Sequence, residues 1–319
     1  MGGYEFFTDR INPQIDPTLS VWQWTIPLYL FLGGLVAGLM VIGGVQELLW
    51  PGKWDRRLSL WSSVAAASAL SIGMLALFLD LSHKLFVWRF YLALRPSSPM
   101  SWGSWILIFV YPLFLLWFLG SVDLDSAGKR IKRSFIFPFA RSLRELAVRH
   151  RRTLLVLNVI FGVLLGIYTG ILLQGLMARP LWRTGLLGPL FLASGISSGA
   201  AFLMLLKQSR GVSRDLLKWD IAAIAVELAL LALFFVEKFS GDLLQRESAA
   251  LLVSGPFAGS FFGLVIVGGI LVPLIIEIGE LGERLRGTAA IPLLVLIGGF
   301  AFRVIFVMAG QLSSYTMLR

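Results

Sequence analysis

Asp80 and His83, in the run Phe78-Leu-Asp-Leu-Ser-His-Lys84, are the side chains of this sequence best suited to trading protons with a ligand. They close a long apolar stretch, where a carboxylate is costly unless paired or wetted, so an acid there reads as functional by default. A helix continued through both would put them on one face, three residues apart. The stretch Trp22-Gln-Trp-Thr-Ile-Pro-Leu-Tyr29 opens another apolar run and brings Trp24 and Tyr29 to the same depth. A carboxylate, an imidazole and a phenol at one level suit a ligand that exchanges protons, because each can give or accept a hydrogen bond. A plainer reading stays open beside it, in which Asp80 pairs with Lys84 at i+4 and His83 is an interfacial residue.

Three further segments carry polar groups into apolar surroundings. Arg95-Pro-Ser-Ser-Pro-Met-Ser-Trp-Gly-Ser-Trp105 leads into a helix whose start Ser97, Ser98 and Ser101 are expected to cap, with Trp102 and Trp105 beside it. The same run also reads as an ordinary helix entry with interfacial tryptophans. Gly166-Ile-Tyr-Thr-Gly170 sets Tyr168 between glycines, which on physical grounds is a packing face, and Arg179 with Trp182 is expected to anchor the outer surface. Farther on, Asp220 and Glu227 are seven residues apart on one helical stripe, Glu277 ends a span and Arg303 lies inside one. Acids and an arginine at such positions form either a buried ion pair or part of a proton path, with Glu227 and Arg303 the pair to test. Asp220, about a turn from the surface, could instead snorkel or cap its helix.

The elements that must position these residues are membrane helices. Of 319 residues, 57% are hydrophobic and 14% charged, and apolar runs of bilayer-spanning length recur. Eight spans are expected, at about 20–48, 59–83, 101–121, 153–177, 186–206, 217–239, 254–276 and 289–311. The all-α protein is therefore a multi-pass membrane protein. The polar, slightly acidic segment before the first span lacks the pattern of a cleaved signal peptide. With no cysteine, the chain offers no thiolate for an iron-sulfur cluster or zinc. His83 and His150, its only histidines, fall at the ends of different runs, which argues against a bis-histidine haem. The net charge of +10 gathers in loops, where basic residues set topology and meet anionic lipid, so nucleic-acid binding is rejected.

An even number of spans places both termini on one side. That side carries nine Lys and Arg and the other eighteen, which puts the termini outside, in the periplasm of a bacterial or archaeal cell. Nine of the eighteen lie between Lys129 and Arg152, in a connection whose apolar residues suit either an interfacial helix or a solvated basic loop. A weak repeat pairs Pro27-Leu-Tyr-Leu-Phe-Leu-Gly with Pro189-Leu-Phe-Leu-Ala-Ser-Gly, and two similar matches follow at an offset of 156. Helices four apart are thereby related, suggesting two parallel four-helix bundles, at 20–177 and 178–319, behind a periplasmic segment at 1–19.

Taken together, these segments resemble the NrfD/PsrC family, the eight-helix membrane subunits of respiratory oxidoreductases. The likeness rests on Trp22-x-Trp-Thr with Tyr-x-Phe-Leu-x-Gly, on Ser98-Pro-Met-Ser-Trp-Gly-Ser-Trp, and on Gly166-Ile-Tyr-Thr-Gly with Ala178-Arg-Pro. Ser194-Gly-Ile-Ser-Ser-Gly-Ala-Ala and Gly298-Gly-Phe-Ala-Phe-Arg with Ala309-Gly-Gln complete it. The resemblance implies a quinone site, for menaquinone or ubiquinone, near the outer face of the first bundle. It also implies docking to a ferredoxin-like 4Fe-4S subunit that serves a molybdenum or tungsten catalytic subunit. Asp80, His83 and Tyr168 would then handle protons and quinone oxygens, within a pocket of Trp24, Tyr29, Ser98, Trp102 and Trp105, while Asp220, Glu227 and Arg303 are proton-path candidates. This sequence departs from the polysulfide-reductase members, which carry asparagine and histidine where it has Ile26 and Tyr29. Competing readings are a proton-coupled secondary transporter and a structural anchor without quinone reactivity.

Overall fold

Eight helices long and apolar enough to cross a bilayer make up most of the computed structural model. It describes residues 22–81, 83–92, 95–96, 98–124, 137–175, 179–206, 209–285 and 287–313, and these are all-helical. The spans are α1 (Thr25–Leu49), α2 (Arg56–Asp80), α4 (Pro99–Ser121), α6 (Arg151–Gln174), α7 (Leu187–Leu205), α8 (Arg210–Ser240), α10 (Ala258–Leu281) and α11 (Ala290–Leu312). Between them lie a four-residue α3 (Arg89–Leu92), α5 (Phe137–Arg149) and α9 (Leu243–Val253). The segment at 1–19 expected to be periplasmic, Ser97 and Ala178 lie outside the described residues.

Local chemistry starts and stops these helices. Asp55 caps α2 by accepting the Arg57 N–H at 3.2 Å, and Asp242 caps α9 through the Gln245 N–H at 2.8 Å. Pro99 occupies the first turn of α4, where its missing N–H costs nothing. Ser98 takes the N-cap position, but its side chain makes no cap bond, contrary to expectation. Ser101 fixes the turn instead, its Oγ accepting the Arg95 N–H at 3.0 Å. The middle of α10, Phe261–Leu271, is wound as a π-helix, in which the Val272 N–H reaches back to the Val267 carbonyl.

Helices α1, α2, α4 and α6 contact one another in sequence, as do α7, α8, α10 and α11, and α1 and α7 cross at the centre. That crossing is backbone on backbone. A Cβ on Gly38 would run into the Gly195 carbonyl, and one on Gly199 into the backbone of Gly38, so only glycine permits the approach. Apolar residues outside the core, Val236 at 62% exposure and Ile275 at 65%, suit helices bathed in lipid. The described part of the long basic connection folds as α5, which has an apolar stripe and buries only Ala147.

Arg179 and Trp182 correct the expectation of surface anchors, because both are buried. Arg179 donates to the carbonyls of Gln311 (3.1 Å) and Ser313 (3.0 Å), and the Trp182 indole to that of Phe306 (2.9 Å). Lys238, near the end of the expected span at 217–239, is also buried and donates to the carbonyls of Pro180 (2.8 Å) and Arg183 (2.9 Å). Buried cations satisfied by carbonyls act here as clamps on the face where α1 begins and α11 ends.

Candidate functional site

Between α1, α2, α4 and α6, at the end where α1 begins, lies a cavity of about 460 Å³. Its walls are mostly apolar, with Met74, Leu77, Leu81, Val87 and Phe90 among them, and its polar groups are the hydroxyls of Tyr29, Tyr91, Tyr168, Ser71 and Ser104. Leu75, Phe78 and Met100 line it while remaining 37–56% exposed on the outer surface of the helices. The cavity thus opens sideways, toward lipid.

Tyr29 comes from the second turn of α1 and Tyr168 from the last third of α6, and both are buried. Their phenols are close neighbours in the cavity wall. Gly103 on α4 makes room for this pair, because a Cβ there would overlap the Tyr168 ring and hydroxyl. Ser71 Oγ lies 3.3 Å from the Tyr111 hydroxyl, and Ser104 Oγ donates to the Met100 carbonyl at 3.0 Å. Tyr91 stands outside the spans. Burial first, and the nearby Tyr111 second, push its phenol above its ordinary pKa, so it stays a neutral donor. A few convergent donors in an apolar pocket of this size fit a flat, oxygen-bearing lipophilic head group such as a quinone.

The structure distributes the other sequence candidates around this cavity rather than in it. Asp80 is the last residue of α2, and its Oδ1 accepts the Thr25 hydroxyl at 2.9 Å, tying it to the first turn of α1. It is not a wall residue, although Phe78 and Leu81 are. The expected shared helical face of Asp80 and His83 does not form, because Leu81 is extended and ends the helix. His83 is exposed, with its ring 6.5 Å from that of Phe86. Trp24 is 58% exposed, and Trp102, 45% exposed, donates its indole N–H to the Pro96 carbonyl at 2.7 Å. Trp105 is half-buried, and its indole N–H meets no acceptor among the described residues. Ser98 lines a neighbouring recess of about 270 Å³ with Arg89, Arg95 and Ser101, which shares Phe90 and Met100 with the main cavity.

Sequence reasoning missed Ser71, Ser104 and Tyr91. Small hydroxyls inside apolar spans and a tyrosine between spans carry no periodic signal, although Ser104 stood in the Gly-Ser-Trp motif.

A second polar group lies within the other four spans. Asp220 and Glu227 are both buried on α8, which overturns the snorkelling reading of Asp220. Asp220 Oδ1 accepts the Ser197 hydroxyl, and its carboxyl faces that of Glu277, itself buried. Glu227 and Arg303 do not pair directly: Ser194 accepts from the guanidinium and lines a small recess together with Glu227. Arg303 also donates to the Phe191 carbonyl at 3.0 Å, and its charge lies over the Phe191 ring at 4.7 Å. A recess containing Glu277, Glu280 and Ser213 opens at the face opposite the cavity.

Comparison with known proteins gives a consistent neighbourhood. The profile of the family described as "Polysulphide reductase, NrfD" matches residues 12–314. The sequence is 30% identical over 313 residues to a polysulfide reductase chain of Wolinella succinogenes, and the match spans 91% of this protein and 94% of that one. It is 27% identical to the protein NrfD of Escherichia coli, over 92% and 96% of the two. A selenate reductase subunit of Mesobacillus selenatarsenatis is 25% identical over 208 residues, 59% of this protein and 48% of that one.

Proposed function

Because the chain belongs to the polysulphide reductase NrfD family, we propose that it is the quinone-reactive membrane subunit of a respiratory oxidoreductase. It exchanges electrons between the quinone pool, menaquinone or ubiquinone, and a ferredoxin-like 4Fe-4S subunit on the periplasmic side. That subunit in turn serves a molybdenum or tungsten catalytic subunit. The observation that carries this reading is the lipid-facing cavity with the Tyr29 and Tyr168 phenols at its buried end. The two groups of four spans are two four-helix bundles, and the termini lie in the periplasm of the inner membrane.

A quinol supplies two electrons and two protons when it is oxidised, and the reverse applies if the complex reduces quinone. The protein's own residues bind, orient and move the protons. Tyr168 and Tyr29 hold the head-group oxygens, with Ser104 and Tyr91 beside them, and the apolar walls exclude water. Asp80, next to the wall residue Leu81 and held by Thr25, passes protons on, and exposed His83 relays them to the terminal face. A carboxylate at a helix C-terminus opposes the helix dipole by about 0.3–1 kcal/mol, a cost consistent with a functional reason for Asp80.

The test is made on the native complex. Preparations should contain iron, molybdenum or tungsten, and extractable quinone. Tyr168→Phe should lower quinol-linked turnover about tenfold, the worth of one hydrogen bond, and Asp80→Asn should suppress it further. Partner activity with artificial dyes should be unchanged in both. Wild-type quinol rates in both variants would instead favour a structural anchor.

Asp220, Glu227, Glu277 and Arg303 form a proton path from the opposite face in this reading. The Asp220 and Glu277 carboxyls lie close together with buried oxygens that meet no hydrogen-bond partner among the described residues, and Ser197 and Ser194 continue the line of polar groups toward Glu227 and Arg303. In proteoliposomes, Asp220→Asn combined with Glu277→Gln is expected to abolish proton uptake from that face while electron transfer in detergent continues. Equal proton-to-electron ratios in variant and wild type would remove the path.

A further inference from the structure

Leu85 and Leu92, between α2 and α4, are 87% and 74% exposed, the two highest values among the large apolar side chains of the described residues. Phe86 and Trp88 beside them are exposed as well. None of the four belongs to a span: Lys84–Phe86 is a single 3-10 turn and Arg89–Leu92 is α3. A contiguous apolar surface of this kind is costly in water and marks contact with something else. The other side of the same segment faces inward, where Val87, Phe90 and Tyr91 line the cavity that holds the tyrosine pair.

What surrounds the segment matches a lipid surface. Ile72, Leu75 and Leu79 form an exposed row on one face of α2 that climbs toward it, so Leu85 and Phe86 continue along the chain a surface already bathed in lipid. From His83 to Leu92 the sequence has two cations, Lys84 and Arg89, and no acid. The Arg89 guanidinium lies over the rings of Phe86 at 4.4 Å and Trp88 at 5.5 Å, which joins a charge to aromatic groups as residues at the boundary of water and hydrocarbon do. Trp24 and Trp102 are exposed at the same end of the helices, as tryptophans of an interfacial belt are. Head-group phosphates beside hydrocarbon satisfy both the cations and the leucines at once, and a bilayer supplies the two together.

We propose that Lys84–Leu92 is seated in the lipid leaflet at the end where α1 begins, with Leu85 and Leu92 among acyl chains and Lys84 and Arg89 at the phosphates. Lipid thereby holds the roof of the cavity in place, because Val87, Phe90 and Tyr91 ride on the same short segment. The seating stands on exposure and composition alone, whereas its effect on quinol rests on the quinone reading of that cavity.

The chain has no cysteine, so a thiol introduced by Leu85→Cys or Leu92→Cys is the only one it carries. Each variant is labelled with a nitroxide in the intact complex in lipid nanodiscs, wild type treated alike serving as the blank. Spin relaxation is then measured with oxygen and with a water-soluble nickel chelate. Both labels should relax more with oxygen than with nickel, as probes in lipid do. Preference for nickel would place the segment in water, and shielding from both reagents would place it beneath another protein; either result overturns the proposal. A second measurement needs no label. Leu85→Asp combined with Leu92→Asp should unseat the roof, and a roof in place about a tenth of the time raises the apparent KM for quinol about tenfold. Dye-linked activity of the partner subunits should stay unchanged, since neither leucine lines the cavity. An unchanged KM in that variant would refute the hold of lipid on the cavity. A wild-type complex inactive with quinol would instead refute the quinone reading, and the two labels would still decide where the segment lies.

Discussion

Gly103→Ala is expected to cut quinol-linked turnover about a hundredfold, the cost of displacing a reacting group by roughly an ångström, while dye-linked activity of the partner subunits stays intact. One methyl group suffices because a Cβ at Gly103 falls on the Tyr168 ring and hydroxyl. Tyr168 has little room to retreat, since it is buried and its phenol already meets that of Tyr29. The substitution therefore removes two donors from their places at once, so its effect should exceed that of Tyr168→Phe. Steady-state turnover with a short-tailed quinol, run beside a dye assay on the same preparation, reads the outcome. If Gly103→Ala oxidises quinol at the wild-type rate, the cavity between α1, α2, α4 and α6 is not where quinone reacts.

Glu47→Ala should produce the largest loss of stability from a single polar substitution. Glu47 is buried in the last turn of α1 and accepts from Ser59 (3.0 Å), Trp117 (3.4 Å) and Arg151, linking α1 to α2, α4 and α6. Removing it strands three donors in the helix interior. Breaking a buried pair from one side costs about 3–5 kcal/mol. The lower end applies here, because the Arg151 side chain is 33% exposed and also donates to the Gly120 carbonyl. Unfolding in mixed detergent micelles would measure it, with Glu47→Leu/Arg151→Leu expected to recover most of the loss. A change under about 1 kcal/mol for Glu47→Ala would mean that water or lipid satisfies these donors.

The eight spans were legible in the sequence because a bilayer imposes a fixed length of apolar chain on each, and the observed helices fall within a few residues of expectation except at the starts of α1 and α8 and the end of α10. Tyr29 and Tyr168, singled out among otherwise apolar neighbours, both reach the cavity wall. The end of α2 was less legible: Leu81 leaves the helix, and the face that Asp80 and His83 would have shared is lost. Nor did the sequence reveal that Arg179, Trp182 and Lys238 are buried clamps, since a charged residue at the end of an apolar run looks the same whether it meets water or a folded loop.

Composition, apolar run length and loop charge by themselves determined that this is an eight-span membrane protein without thiolate ligands, because those properties depend only on how residues partition between water and lipid. Which side chains share a cavity was decided by the tertiary structure alone. The glycine crossing of α1 and α7 and the gap left by Gly103 set helix separations to within the width of a methyl group, and contact at that scale depends on packing between helices distant in sequence.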